Sequence, residues 1–150
     1  MRRRAGTNRR AESFDNGMEF FATFGGNHVS AAIGRAVLDV IDDEGLVENA
    51  RAVGEVFFEE MAPLTERHAV IGDVRGRGAM LAVEIVRPGS TTPDAALTSA
   101  VSATCHRAGL VTLTCGTFGN VLRFLPPLVI SDALLDEGLG ILEDAFAAHA

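Results

Sequence analysis

The residues of this chain best suited to chemistry are those that can hold an anion. Thr23-Phe24-Gly25-Gly26-Asn27 runs directly into a helical pattern. A helix start presents unpaired backbone N–H groups and the positive end of the helix dipole. Glycines let the backbone approach a ligand closely, and Thr23 adds a hydroxyl donor. The segment therefore has the make-up of a phosphate or carboxylate cradle. An ordinary glycine turn closed by an Asn27 cap uses the same residues. Arg123 is the second candidate, the lone charge in the apolar run Val121-Leu122-Arg123-Phe124-Leu125 ahead of a Pro-Pro corner. Its planar fork suits two-point capture of a substrate carboxylate. A structural pair with an acid such as Glu84, or an edge position that snorkels to water, would equally account for it.

Other reactive residue types carry less. Asp73-Val74-Arg75-Gly76-Arg77-Gly78 reads as a charged turn that positions the next strand, with no chemistry assigned. Cys115 lies near Arg123 across a hairpin but has no companion histidine, and reads as a small core residue. His28, His68, His106 and His149 lack ligand spacing, so no metal site is expected. All 13 basic residues are arginine. With no lysine, the chain has no side-chain amine to condense with a carbonyl, and a permanently protonated guanidinium cannot take that role.

These residues need elements to hold them. From His28 to Glu44, apolar residues at Val29, Ala32, Ile33, Ala36, Val37, Val40 and Ile41 predict an amphipathic helix stopped by Gly45. A second helix is expected from Leu46 to Arg67, with Val53, Val56, Phe57 and Met61 inward and Pro63 ending or bending it. AMLAVEIV reads as a strand, and Thr92-Pro93-Asp94 as the start of a helix, with the Thr92 hydroxyl as its cap and Pro93 at its first position, that Gly109 closes. LVTLTC and NVLRFL predict a hairpin across GTFGN, and Ser131-Asp132 caps a last helix. The sum is an α+β fold, a small antiparallel sheet of about three strands packed with helices. With one sheet face to hide and a long amphipathic first helix, further burial against something outside the chain is expected.

Composition narrows the function classes. At 150 residues and 47% hydrophobic the chain is globular. A net charge of −7 argues against a nucleic-acid binder, although local sites can still hold small anions. No apolar run approaches the ~20 residues that span a bilayer, so no membrane partner is expected. Two cysteines without C-x-x-C spacing suit a reduced, cytoplasmic protein. Residues 1–13, with five arginines and almost nothing apolar, are expected to be a disordered or misassigned arm.

Three segments carry a resemblance: FFATFGGNHVSAAIGRAVLDVIDDEGL, IGDVRGRGAMLAVEIV and CGTFGNVLRFLPPLVISDALLDEGLGILEDAF. Together, from about Phe14 to the end, they resemble the C-terminal part of class-III pyridoxal-phosphate aminotransferases, the ω-amino-acid branch of the fold-type I enzymes. The last segment is most like the 4-aminobutyrate branch, and the first is closer to the branch that includes ethanolamine-phosphate phospho-lyases. The resemblance implies that Thr23 donates hydrogen bonds to the pyridoxal phosphate of the partner subunit across a homodimer interface. It implies that Arg123 binds the carboxylate of an amino-acid substrate. It also implies a small C-terminal domain (46–150) preceded by a phosphate-contact segment and long linking helix (14–45). One departure is His28, where the family has proline, which would leave the cradle looser.

The larger departure is the missing Schiff-base lysine, which implies that no catalytic residue lies in this chain and that the large cofactor domain is absent. The expected function is therefore that of a transaminase C-terminal fragment, inactive alone, serving amino-acid and keto-acid substrates. A phospho-lyase of the same family and a non-catalytic binding module are the alternatives.

Overall fold

In this computed structural model, which describes residues 25–149, the first helix opens at an asparagine cap. Asn27 Oδ1 accepts hydrogen bonds from the backbone N–H of Val29 at 2.9 Å and of Ser30 at 3.1 Å. Helix α1 then spans His28–Asp43. Among the described residues its apolar stripe is largely uncovered: Val29, Ile33, Val37 and Val40 are exposed and Ile41 is half-buried. Contacts divide the chain into two units between Asp39 and Val40.

The second unit carries the sheet. Gly45, at a φ of 62°, starts helix α2 (Leu46–Arg67), since a left-handed backbone costs glycine little. Pro63 lies inside α2 and does not end it. It sits on the exposed side beside the exposed Glu59, so the carbonyl left without an N–H partner can turn to water. Strand β1 (Ile71–Arg77) and strand β2 (Met80–Ile85) follow as a tight antiparallel hairpin across Gly78 and Ala79. Here the sequence reading is corrected: Asp73 to Arg77 forms a strand, and only Gly78, at a φ of 55°, belongs to the turn.

Helix α3 (Ala95–Arg107) is capped by Asp94, whose Oδ1 accepts from Leu97 N–H at 2.9 Å. Thr92, the expected cap, lies two residues too early, because Pro93 is still tied to Val86 in an isolated bridge. Strand β3 (Leu113–Cys115), strand β4 (Val121–Phe124) and the Ser131-capped helix α4 (Asp132–Ala147) complete the unit.

The sheet is antiparallel in the order β1-β2-β4-β3, four strands instead of the expected three or so. One face bears Leu81, Val83 and Leu122, packed in a single core with Phe57 and Met61 of α2, Val101 of α3, and Leu142 and Phe146 of α4. Burying each of these side chains contributes roughly 1.5–3 kcal/mol. The fold is thus α+β, helices layered on one face of a small sheet. Among the described residues no helix is long and apolar enough to cross a membrane.

Candidate substrate-binding face

Side chains alternate across a strand, so the register that sends Leu81, Val83 and Leu122 into the core sends their neighbours to the opposite face. That face presents Ala82 and Glu84 from β2, Arg123 from β4, and Leu113 and Cys115 from β3. The same parity places Asp73 and Arg75 of β1 there. One row across the sheet reads Arg75, Ala82, Arg123, Leu113, and the next reads Asp73, Glu84, Val121, Cys115. Arg123 is exposed and stands beside the smallest side chain of its row.

The acids of this face are already engaged. Arg75 Nη1 donates to Asp73 Oδ2 at 2.7 Å and to Glu84 Oε2 at 2.7 Å. The other Glu84 oxygen, Oε1, accepts from Asn120 Nδ2 at 3.4 Å. Asn120 is buried at 3% exposure and is anchored by a 3.0 Å bond to the carbonyl of Ile85. Hydrogen bonding to Asp73, and then to Glu84, pushes the Arg75 pKa further above its already high value. The alternative of a structural pair between Arg123 and Glu84 is not realised: Glu84 pairs with Arg75. Among the described residues Arg123 forms no ion pair. An exposed guanidinium without an internal acid can receive an external carboxylate through two parallel N–H···O bonds.

The start of α1 shows the Asn27 cap, and Thr23 lies outside the described residues. Gly26 has a φ of 78°, and no described residue lies within 4 Å of where its Cβ would be. Of the two thiols, Cys105 is fully buried in the core, and burial pushes its pKa up. Cys115 is half-buried on the Arg123 face and is not in the core, because its register puts it opposite Val121.

Sequence reasoning missed the Arg75, Asp73, Glu84 and Asn120 network. The signal was present as a period of two in Asp73, Arg75 and Arg77, but the interleaved glycines made the segment look like a turn. Gly76 is there because β2 comes close: a Cβ would lie 2.4 Å from the Met80 carbonyl oxygen.

Relatives of known name share this architecture and sequence. The 4-aminobutyrate aminotransferase of Mycobacterium tuberculosis is 49% identical over 120 residues, covering 80% of this chain and 27% of the relative. An amine transaminase from an uncultivated Pseudomonas species, solved in its pyridoxal-phosphate-bound form, superposes with a TM-score of 0.77 at 32% identity, covering 91% of this chain and 31% of that one. A phospholyase from Arthrobacter, solved with phosphoethanolamine, gives a TM-score of 0.81 at 34% identity, covering 95% and 34%. The chain thus spans about a quarter to a third of the length of the proteins it matches. The model of the class-III aminotransferases matches residues 4–146, and the chain belongs to that family.

Proposed function

We propose that the chain is the C-terminal part of a pyridoxal-phosphate-dependent transaminase that moves an amino group from an amino acid or ω-amino acid to a keto acid. The observation that carries this reading is Arg123, exposed on the open sheet face with no acid of the described residues paired to it. Its fork would fix the substrate carboxylate and so orient the amine at the far end of the substrate toward the reacting centre.

The start of α1 fits the phosphate of the cofactor. Gly25, Gly26, Asn27 and His28 bring no acid, and a glycine has no side chain to keep an anion from the backbone. Asn27 Oδ1 already takes the N–H groups of Val29 and Ser30. The phosphate would therefore be held by the N–H groups ahead of them and by the Thr23 hydroxyl, acting across the interface of a homodimer. Pyridoxal phosphate, when bound, supplies the electron sink for removing the proton beside the transferred nitrogen. No side chain of this polypeptide can form an imine with the cofactor aldehyde, since it has no lysine. We therefore assign residues 14–45 to phosphate contact and linkage and 46–150 to a small domain, and leave 1–13 outside both. The apolar stripe of α1 is the surface on which the rest of the enzyme would pack. A reduced, cytoplasmic setting suits the two free thiols. Transamination is preferred to phosphate elimination because the curated relatives named for an activity, at 39–49% identity, are aminotransferases.

The test is Arg123→Ala in an enzyme completed with a lysine-bearing cofactor domain. Charged hydrogen bonds are worth about 1.5–3 kcal/mol, so KM for a carboxylate-bearing amine rises roughly 10- to 150-fold while a simple amine is unaffected. Equal losses on both substrates would remove Arg123 from the site. In the same assay the 150 residues alone, with added cofactor, give no turnover beyond that of the free cofactor; turnover above it would sink the incomplete-enzyme reading.

A further inference from the structure

We infer that Arg75 is a positioning residue that holds Glu84 away from Arg123 and so keeps the Arg123 guanidinium open to a carboxylate ligand. This rests on the reading of Arg123 as the carboxylate receptor. The argument is one of register. Ala82 pairs with Arg75 on one side and with Arg123 on the other, and Glu84 lies two residues further along the same strand and face. Glu84 is therefore a diagonal neighbour of both arginines. Such positions lie about 7–8 Å apart, within reach of long side chains.

By strand geometry alone either arginine could claim the acid. Three contacts decide it. Arg75 Nη1 sits 2.7 Å from Glu84 Oε2, and the same nitrogen is anchored by Asp73 Oδ2 at 2.7 Å. Asn120, buried and tied to the Ile85 carbonyl, engages the second Glu84 oxygen. Arg75 draws Oε2 toward β1 and Asn120, just before β4, tethers Oε1, so the carboxylate is fixed in a position from which, among the described residues, it forms no ion pair with Arg123.

Removing Arg75 frees a carboxylate that can then fold onto Arg123 and compete with any carboxylate arriving from solution. The competitor is a partly exposed pair, so its effect is modest. Exposed pairs are worth about 0.2–1 kcal/mol, which is a factor of roughly 1.5–5 in affinity. A structural role for Arg75 would act differently: deleting Glu84 as well would deepen the damage or leave it unchanged.

The experiment is a titration of the full chain with glutarate, followed through the 15N signal of the Arg123 Nε–H group. Arg75→Gln is expected to weaken glutarate roughly 1.5- to 5-fold. The double variant Arg75→Gln/Glu84→Gln is expected to return to the wild-type affinity, with Glu84→Gln alone unchanged. Wild-type affinity in Arg75→Gln overturns the inference, and so does a double variant that stays weak or does not fold. Arg123→Ala separates the two readings. If it leaves glutarate binding intact, the carboxylate role of Arg123 fails and the inference falls with it. If it abolishes binding while Arg75→Gln is silent, only the inference fails.

Discussion

Replacing Gly76 by alanine would push a methyl group into the backbone of the neighbouring strand. A Cβ at this position lies 2.4 Å from the Met80 carbonyl oxygen and 2.9 Å from both Cα and Cδ2 of Leu81. Comfortable carbon contacts are about 3.5–4.0 Å, so the two strands must separate by roughly 1 Å close to the turn of their hairpin. The Leu81 methyl can rotate, but the carbonyl and Cα cannot, which places the cost in the upper part of the ~1–3 kcal/mol seen for overpacking. Stiffening the unfolded chain returns about 0.4–1 kcal/mol. The net loss is then about 1–2.5 kcal/mol, a fall in Tm of roughly 2–10 °C for a chain of this size. Gly140→Ala is the control: it sits in α4 with no described residue within 4 Å of its added methyl, and should raise Tm by roughly 1–4 °C. Differential scanning calorimetry on the three proteins decides. If Gly76→Ala is as stable as the parent, the close approach of β2 is not the reason for this glycine.

Two further outcomes follow from local chemistry. Asp94→Ala removes the cap of α3 and should cost about 0.5–2 kcal/mol in urea unfolding, whereas Thr92→Ala should cost little; a reversed order would mean that the helix starts earlier than Asp94. In the native chain a thiol reagent should modify Cys115 quickly and Cys105 only after unfolding. Because burial raises the Cys105 pKa, the folded chain keeps that proton longer than the unfolded chain does. This contribution to stability is complete below the ordinary thiol range and is lost as pH climbs through it toward the raised value. Cys105→Ala should therefore lose less stability than the parent between neutral and alkaline pH, and parallel pH profiles would contradict this.

Much of the fold was legible in the residues. The period of 3.6 in α1 and α2, Ser131 before α4, and the Gly-bearing turn between β3 and β4 are local signals, because helix caps and turns are formed by residues close in sequence. β1 was not legible. Its strand character comes from pairing with β2, and its glycine is chosen by the closeness of that neighbour and not by any turn. The position of the α3 cap was missed for a similar reason: Pro93 is held by Val86, a contact that fixes where the helix can begin.

The sequence by itself determined that the chain has arginines and no lysine, that Arg123 is the one charge in its strand, and that Asn27 stands where a helix must start. These are matters of composition and of short-range order, and they bound the chemistry the chain can supply. Only the tertiary structure decided which partner each charge takes. Glu84 lies 39 positions from Arg123 in the sequence and 9 from Arg75, and the register of three strands brings all three side chains to one face. Once there, short-range electrostatics and the fixed Asn120 amide give the acid to Arg75 and leave Arg123 unpaired within the described face.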